Sequence, residues 1–378
     1  MLHYVTYHAP SLTLLYCDCQ RKNECINLLR CYRNGKRVPF SAYFGIWTQN
    51  VNQDALTEEL KKNGLQGNDV VSLKMESDEI IISWGAQFSS FPNLESVVLI
   101  AQNIIRLNCD NFKGSTVRMV SLSANELWFN DGAFCEANSL EYVTCNGTIL
   151  DGNNFHGGLG EMLFKDCHNL KAVRGTYKGT NVMPYVFTNC PSLEEPLNLY
   201  VKSLGNCTFM DCTNLKHIHL HNGLIELGHS TFKNCISLED IYIPDTVISL
   251  GLESFAGCSK LKSIHLPKNL SGIPSGTFAD CSELKKVFLS DEITHIGAEA
   301  FKGCSLLHRP WFPEKLESIG KRAFQGCVSL EKIFLPENIS EIEEDAFSDC
   351  GNLIIHGKPG SVAEDYAKNH NFSFVADE

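Results

Sequence analysis

Residues 255–267 read FAGCSKLKSIHLP, and the fold follows from how this phrase recurs. It spaces Phe255, Cys258, Leu261, Ile264, Leu266 and Pro267 in a fixed pattern. The pattern returns as Phe232, Cys235, Leu238, Ile241, Ile243, Pro244 and as Phe324, Cys327, Leu330, Ile333, Leu335, Pro336. The phenylalanines fall at 209, 232, 255, 278, 301, 324 and 347, a constant step of 23. A period in the twenties with Leu-rich spacing marks a solenoid, in which each repeat contacts only its neighbours.

Upstream the phrase continues in degenerate form. Phe88, Leu94, Val97 and Leu99 fit, with Phe91 in the Cys position, and Phe112 fits with one residue deleted before Val117. Phe134, Leu140 and Val143 fit with Ala137 for Cys; Phe164, Cys167, Leu170, Val173 and Phe187, Cys190, Leu193 follow. These phenylalanines, from 88 to 347, predict about 12 coils. The step from Phe134 to Phe164 is 30 against 23, so about seven residues are inserted within 146–160 (NGTILDGNNFHGGLG). That Gly- and Asn-rich stretch reads as a loop.

Each coil follows from its letters. The alternation of Ile264 and Leu266 predicts a short strand with one buried face. Pro244, Pro267, Pro313 and Pro336 end such strands, since proline has no N–H to give the next ladder bond. A second aliphatic pair precedes each Phe (Val247 and Leu250, Ile293 and Ile296, Leu316 and Ile319) and predicts an extended segment on the opposite wall. Immediately before Cys stands Asp166, Asn189, Asp211, Asn234, Gly257, Asp280, Gly303, Gly326 or Asp349. Those residue types best tolerate left-handed backbone, so a tight turn is expected after every Phe.

Of the 17 cysteines, nine (167, 190, 212, 235, 258, 281, 304, 327, 350) belong to the repeat. Coils in register hold equivalent Cβ atoms about 4.8 Å apart, wider than a disulfide accepts. They are expected to be free buried thiols acting as small hydrophobes.

The flanks lack the phrase. Residues 28–32, Asn34-Gly35 and residues 38–44 read as a β-hairpin, and residues 54–62 (DALTEELKK) as a short helix stopped by Gly64. Residues 1–68 are therefore expected to cap the first coil, residues 69–355 to form the array, and residues 356–378 to close it. In the closing segment Ser361 caps a helix through Lys368, and residues 372–375 form a last strand. No run is long enough to span a membrane. The start has no basic residues, and the apolar residues 12–16 end too soon before Asp18 for a signal peptide. Read alone, the sequence stays inside the cell. The net charge of −12 argues against a nucleic-acid partner, which would want a basic face.

The 23-residue phrase, closing with Gly360, Ser361, Ala363, Glu364, Tyr366 and Ala367, resembles the BspA-like leucine-rich repeat family. The resemblance is close over residues 201–375, looser over 70–199 and absent before that. It implies a right-handed leucine-rich repeat solenoid of short parallel strands, and binding rather than catalysis. Members are typically surface or secreted proteins of bacteria and some protozoa, implicated in adhesion to host proteins.

Within the strands, the residues between the aliphatics point outward. The central outward column is His219, Tyr242, His265, Phe288, Trp311, Phe334, every one an aromatic ring. Beside it run His217, Asp240, Ser263, Lys286, Arg309 and Lys332. Tyr, Trp and Arg are the usual anchors of interfaces, and exposed apolar patches mark contact sites. The expected binding residues are therefore His219, Tyr242, His265, Phe288, Trp311, Phe334, Lys286, Arg309 and Lys332. The expected partner is a protein, peptide or glycan, with no cofactor. The competing reading is that these rings only stabilise neighbouring strands, which makes the array a spacer. Trp311 stands apart, beside Pro310 in the one coil whose inward aliphatic is lost.

Weaker chemistry was weighed. His217, His219 and His221 alternate on one strand face, a spacing open to zinc, although solvated surface histidines explain it as well. Cys17, Cys19, Cys25 and Cys31 cluster as in zinc sites or disulfides, without the usual knuckle spacing. Gly158-Leu159-Gly160 has no strand–helix setting for a nucleotide. No phosphate loop, His-Glu-x-x-His or nucleophile elbow is present. A hydrolase or metal-dependent activity has room only in residues 1–68.

Overall fold

Phe88, Phe112, Phe134, Phe164 and their successors to Phe347 form one continuous stack of rings. Neighbouring centroids are 4.7 to 5.6 Å apart. The computed structural model describes residues 66–376 apart from 83–87 and 152–157. It also describes residues 58 and 61 and four short strands between residues 32 and 51. The chain is a parallel β-solenoid of about 13 turns. The turn beyond the expected count is the strand Val70–Ile82, which precedes Phe88.

The turn after Phe takes the predicted form. Every residue before the repeat Cys has positive φ, from 57° at Asn189 to 75° at Gly257. A second left-handed residue, two before Phe, gave no sign in the letters: Met162, Tyr185, Cys207, Ser230, Glu253, Glu299 and Arg322 all lie at φ 52–62°. Such residues strain the backbone and persist only where the surroundings over-determine them. Here the hydrogen bonds do so. The N–H groups of Cys207, Phe209 and Asp211 donate to the carbonyls of His229, Thr231 and Lys233 at 2.8, 2.8 and 2.9 Å. Ser230, Phe232 and Asn234 repeat this onto Leu252, Ser254 and Ala256.

The second wall is also as read. Leu204, Leu227 and Leu250 are in register, as are Ile273, Ile296, Ile319 and Ile342, in parallel ladders. Gly228 and Gly297 mark where this wall bends into the turn. A Cβ on either would lie 2.7 or 2.6 Å from backbone of the preceding coil.

The strands differ from expectation at three places. In the first coils they are long, not short: Val70–Ile82, Ser96–Leu107, Met119–Phe129 and Tyr142–Leu150 run through both walls, with a shift of register in each pairing. No proline interrupts them, and their rings stack 4.7–4.9 Å apart, close to the roughly 4.8 Å of a ladder. From Phe164 onward the stack widens to 5.1–5.6 Å, and the strands there run two to four residues each. On the outward-column wall Ala172–Arg174, Ser263–His265, Lys286–Phe288, Lys332–Phe334 and Ile354–Gly357 remain strands; 217–219, 240–242 and 309–311 do not. At 309–311, Pro310 has no N–H to donate. Finally, the insert is shorter than read, because Asn146 to Leu150 belong to a strand and Leu159 is buried and bridges Val182.

At the amino end, Tyr32–Arg33 pairs antiparallel with Lys36–Arg37 across Asn34-Gly35. Among the described residues, Phe40–Gly45, read as part of the hairpin's second strand, instead joins the strand Val70–Ile82 in parallel. Residues 28–31, most of the 54–62 helix and Cys17, Cys19, Cys25 and Cys31 lie outside the described residues. At the carboxyl end, the helix Val362–Asn369 sets Tyr366 edge-on to Phe347, 5.9 Å away at 71°, and ends the stack. The Tyr366 hydroxyl accepts the Phe347 N–H at 3.2 Å, a donor with no next coil to receive it. Ser361 is the N-cap residue but its hydroxyl makes no cap bond; the Glu364 carboxylate accepts the Gly360 N–H instead, at 2.6 Å. The last strand is Ser373–Ala376.

All nine repeat cysteines are free and buried. They are more than small hydrophobes. Each thiol donates to the carbonyl of the Phe in the preceding coil, at 2.9–3.2 Å: Cys235 to Phe209, Cys258 to Phe232, Cys281 to Phe255 and onward. Burial pushes the Cys258 thiol from 9.0 up to about 12. The folded state therefore keeps its proton in alkali while the unfolded chain gives it up above pH 9. Stability should be whole below pH 9 and fall as pH rises toward 12, by about 1.4 kcal/mol per pH unit for this thiol. Urea unfolding from pH 8 to 10.5 should show this slope reduced in Cys258→Ala. At pH 7 that variant should lose about 1 kcal/mol, against about 3–5 kcal/mol for Phe255→Ala, which opens the stack.

Candidate binding surface

The outward column is built by alternation. Ile264, Val287 and Ile333 turn into the core, so their neighbours on both sides face out. His219, Tyr242, His265, Phe288, Trp311 and Phe334 are all exposed. Trp311 is 57% exposed, which places its ring in solvent and not in the core. Pro310 fills the inward position of that coil and is buried.

The column is not uniform. His265 and Phe288 lie across a strand pair and stack at 4.0 Å and 10°. Phe334 stacks on His356 at 4.4 Å. His356 extends the stripe by one coil; it was missed because its coil is one residue short, at a step of 22 from Phe334. Among the described residues, Trp311 stacks on no other ring. Residues 308–312 form no backbone hydrogen bond with either neighbouring coil. The coils there are held by the Phe stack and the second wall, so this stretch is free to stand away from the sheet.

A groove of about 540 Å3 opens beside it, lined by Lys285, Lys286, Val287, Phe288, Leu289, His308, Arg309 and Trp311. Its floor is apolar and its rim cationic. Some lysines of the array are neutralised along the stack, Lys262 by Glu239, Lys268 by Asp245 and Lys315 by Glu292, each at 2.7–2.8 Å. Lys285, Lys286 and Lys332 have no such carboxylate among the described residues, and Arg309 reaches Glu331 only at 3.6 Å.

The three histidines are engaged separately. His217 Nδ1 pairs with Asp240 at 2.8 Å, the His221 ring lies tilted at 51° against Tyr200 with centroids 4.1 Å apart, and His219 is exposed. Among the described residues no group of three His, Cys, Asp or Glu side chains is placed to hold a metal ion. Among them, too, no helix is long and apolar enough to cross a membrane.

A model of the BspA type leucine-rich repeat region matches residues 58–194, 156–252 and 225–354. The chain belongs to the BspA type leucine-rich repeat family. No curated protein matches this BspA type chain. It is similar in structure to a leucine-rich repeat protein from Bacteroides ovatus, at 23% identity and a TM-score of 0.64, covering 95% of this chain and 100% of that one. That likeness is one of fold. A leucine rich cell surface protein from Faecalibacterium prausnitzii aligns at 20% identity and TM-score 0.38, over 69% of this chain and 81% of its own. The pneumococcal vaccine antigen PcpA aligns at 18% and 0.42, over 95% and 98%.

The ring contacts predict different costs along the stripe of this BspA type array. Phe288→Ser, which breaks the stack on His265, should lower stability by about 0.5–1.5 kcal/mol. Trp311→Ser, which breaks none, should stay within about 0.5 kcal/mol of the parent. Thermal and urea melts of the two variants side by side check this; equal losses would make Trp311 a structural residue.

Proposed function

We propose that this protein is a non-enzymatic recognition module, which binds a partner protein through the outward strand column centred on Phe288 and Trp311. The observation that carries the reading is Trp311: a large ring held in solvent, on a stretch whose main chain bonds to neither neighbouring coil, beside a cation-rimmed groove. Exposed aromatic area of that kind is retained where something covers it, and Trp with Arg is the usual composition of an interface anchor. Repeat proteins of this type generally serve as protein-interaction or adhesion modules, which supports a binding role on a face left free by the fold. His219, Tyr242, His265, Phe334 and Lys332 extend the same face along the stack. Residues 1–68 and 356–378 act as caps, keeping the apolar ends of the array from solvent.

One observation favours a second reading for part of the stripe. The pairs His265–Phe288 and Phe334–His356 are already stacked on each other, so those rings also stabilise the sheet, as a spacer would require.

The test is a protein and glycan array probed with the parent and with the combined variant Tyr242→Ser, Phe288→Ser, Trp311→Ser, Phe334→Ser, after circular dichroism has shown both folded. Protein hits that vanish in the variant support recognition through this face. Hits that persist, or an array with no hits for the parent, would instead favour the spacer.

A further inference from the structure

The groove at Phe288 and Trp311 has a chemistry of its own, and it points to a narrower ligand than the stripe as a whole. The chain carries a net charge of −12, yet four basic side chains, Lys285, Lys286, His308 and Arg309, converge on one groove. Lys262, Lys268 and Lys315 are matched with carboxylates on the preceding coil, whereas Lys285 and Lys286 stand side by side in this groove with no ion pair among the described residues. Glu331, at 3.6 Å from Arg309, is the acidic group facing this rim. Between the cations the floor is apolar, made chiefly by the exposed rings of Phe288 and Trp311. The main chain of residues 308–312 bonds to neither neighbouring coil, so its N–H and C=O groups retain hydrogen-bonding capacity.

We infer that this groove takes an extended, acidic peptide segment of a partner protein. Its carboxylates lie on Lys286 and Arg309, and one apolar side chain sits between Phe288 and Trp311. The inference rests on the reading that the strand face recognises a protein, and adds the chemistry of the contacting segment. Three features select the occupant. The unmatched cations call for anionic groups, and arginine takes carboxylate bidentately. The apolar floor between them calls for a side chain that a sulfated sugar or a nucleic-acid backbone does not carry. The unpaired main chain suits a ligand that is itself an extended backbone, as in peptide recognition along a sheet edge.

The experiment uses the full chain and fluorescent nonapeptides with a central Phe or Trp, flanked by Asp and Glu, measured by anisotropy. Controls are the same peptides with Lys for every acid, an acidic set with central Ala, an acidic set N-methylated on alternate backbone nitrogens, and heparin. The expected result is binding of the acidic aromatic set, weakened at high salt because its charges are screened. Lys286→Gln, Arg309→Gln and Trp311→Ser should each weaken it by about tenfold, while Lys178→Gln, on a distant coil, should not. Melts of the variants separate lost binding from lost fold. Equal binding of the basic, alanine-centred or N-methylated sets, preference for heparin, or no binding by the acidic set would overturn the inference. If the array hits are still lost in the fourfold aromatic variant, the failure is of this inference alone and recognition by the face stands. If no array hit depends on the face, both fall.

Discussion

Stacking of phenylalanine on phenylalanine through the whole array is the contact on which everything else depends. A coil of this size cannot bury enough apolar surface alone to offset the entropy of ordering it. The ring column supplies a flat, repeating contact that makes one coil the template for the next. Around it, the backbone of the turn is locked by donors at Cys207, Phe209 and Asp211 that all point to the following coil. A one-directional ladder leaves a last coil with nothing to donate to. Tyr366 answers this twice, by its ring against Phe347 and by its hydroxyl on the Phe347 N–H.

Strand content changes along the chain. Where the rings keep close to the natural separation of β-strands, both walls zip into long strands. Farther along, coils stay joined through the turn and the second wall, and the outward wall opens at 217–219, 240–242 and 309–311, although Ser263–His265 and Lys286–Phe288 still pair across the widest ring step. This loosening places the outward aromatic column on a surface that is not tied down everywhere. The outward wall forms no backbone bonds to its neighbours at 217–220, 240–243 and 308–312, and at the last of these the exposed tryptophan and the basic side chains of the groove come together. A site of recognition on a repeat array needs a departure from the repeat, since identical coils present the same surface at every step. In the proposed site the departures are Pro310 and Trp311.

Letters alone determined the solenoid, its period, its buried Phe and Cys columns, the left-handed residue before Cys, and the outward direction of the six aromatic positions. They did so because a periodic core leaves a periodic text: every inward position must be apolar, and a short strand alternates without exception. What stayed hidden is whatever depends on a contact between coils. The thiol bond to the preceding Phe carbonyl shows why a cysteine stands where alanine would also pack. The left-handed backbone at Met162, Tyr185 and Arg322 leaves no trace in residue type, because neighbouring coils impose it. Gly228 and Gly297 read as ordinary turn residues until the preceding backbone is seen within 2.7 Å of their missing Cβ. Whether Phe288 stacks on His265 while Trp311 stands alone, and which lysines find a carboxylate, is likewise decided by the three-dimensional offset between coils. Period fixes which residues face out; only the stacked geometry fixes which of them remain unpartnered.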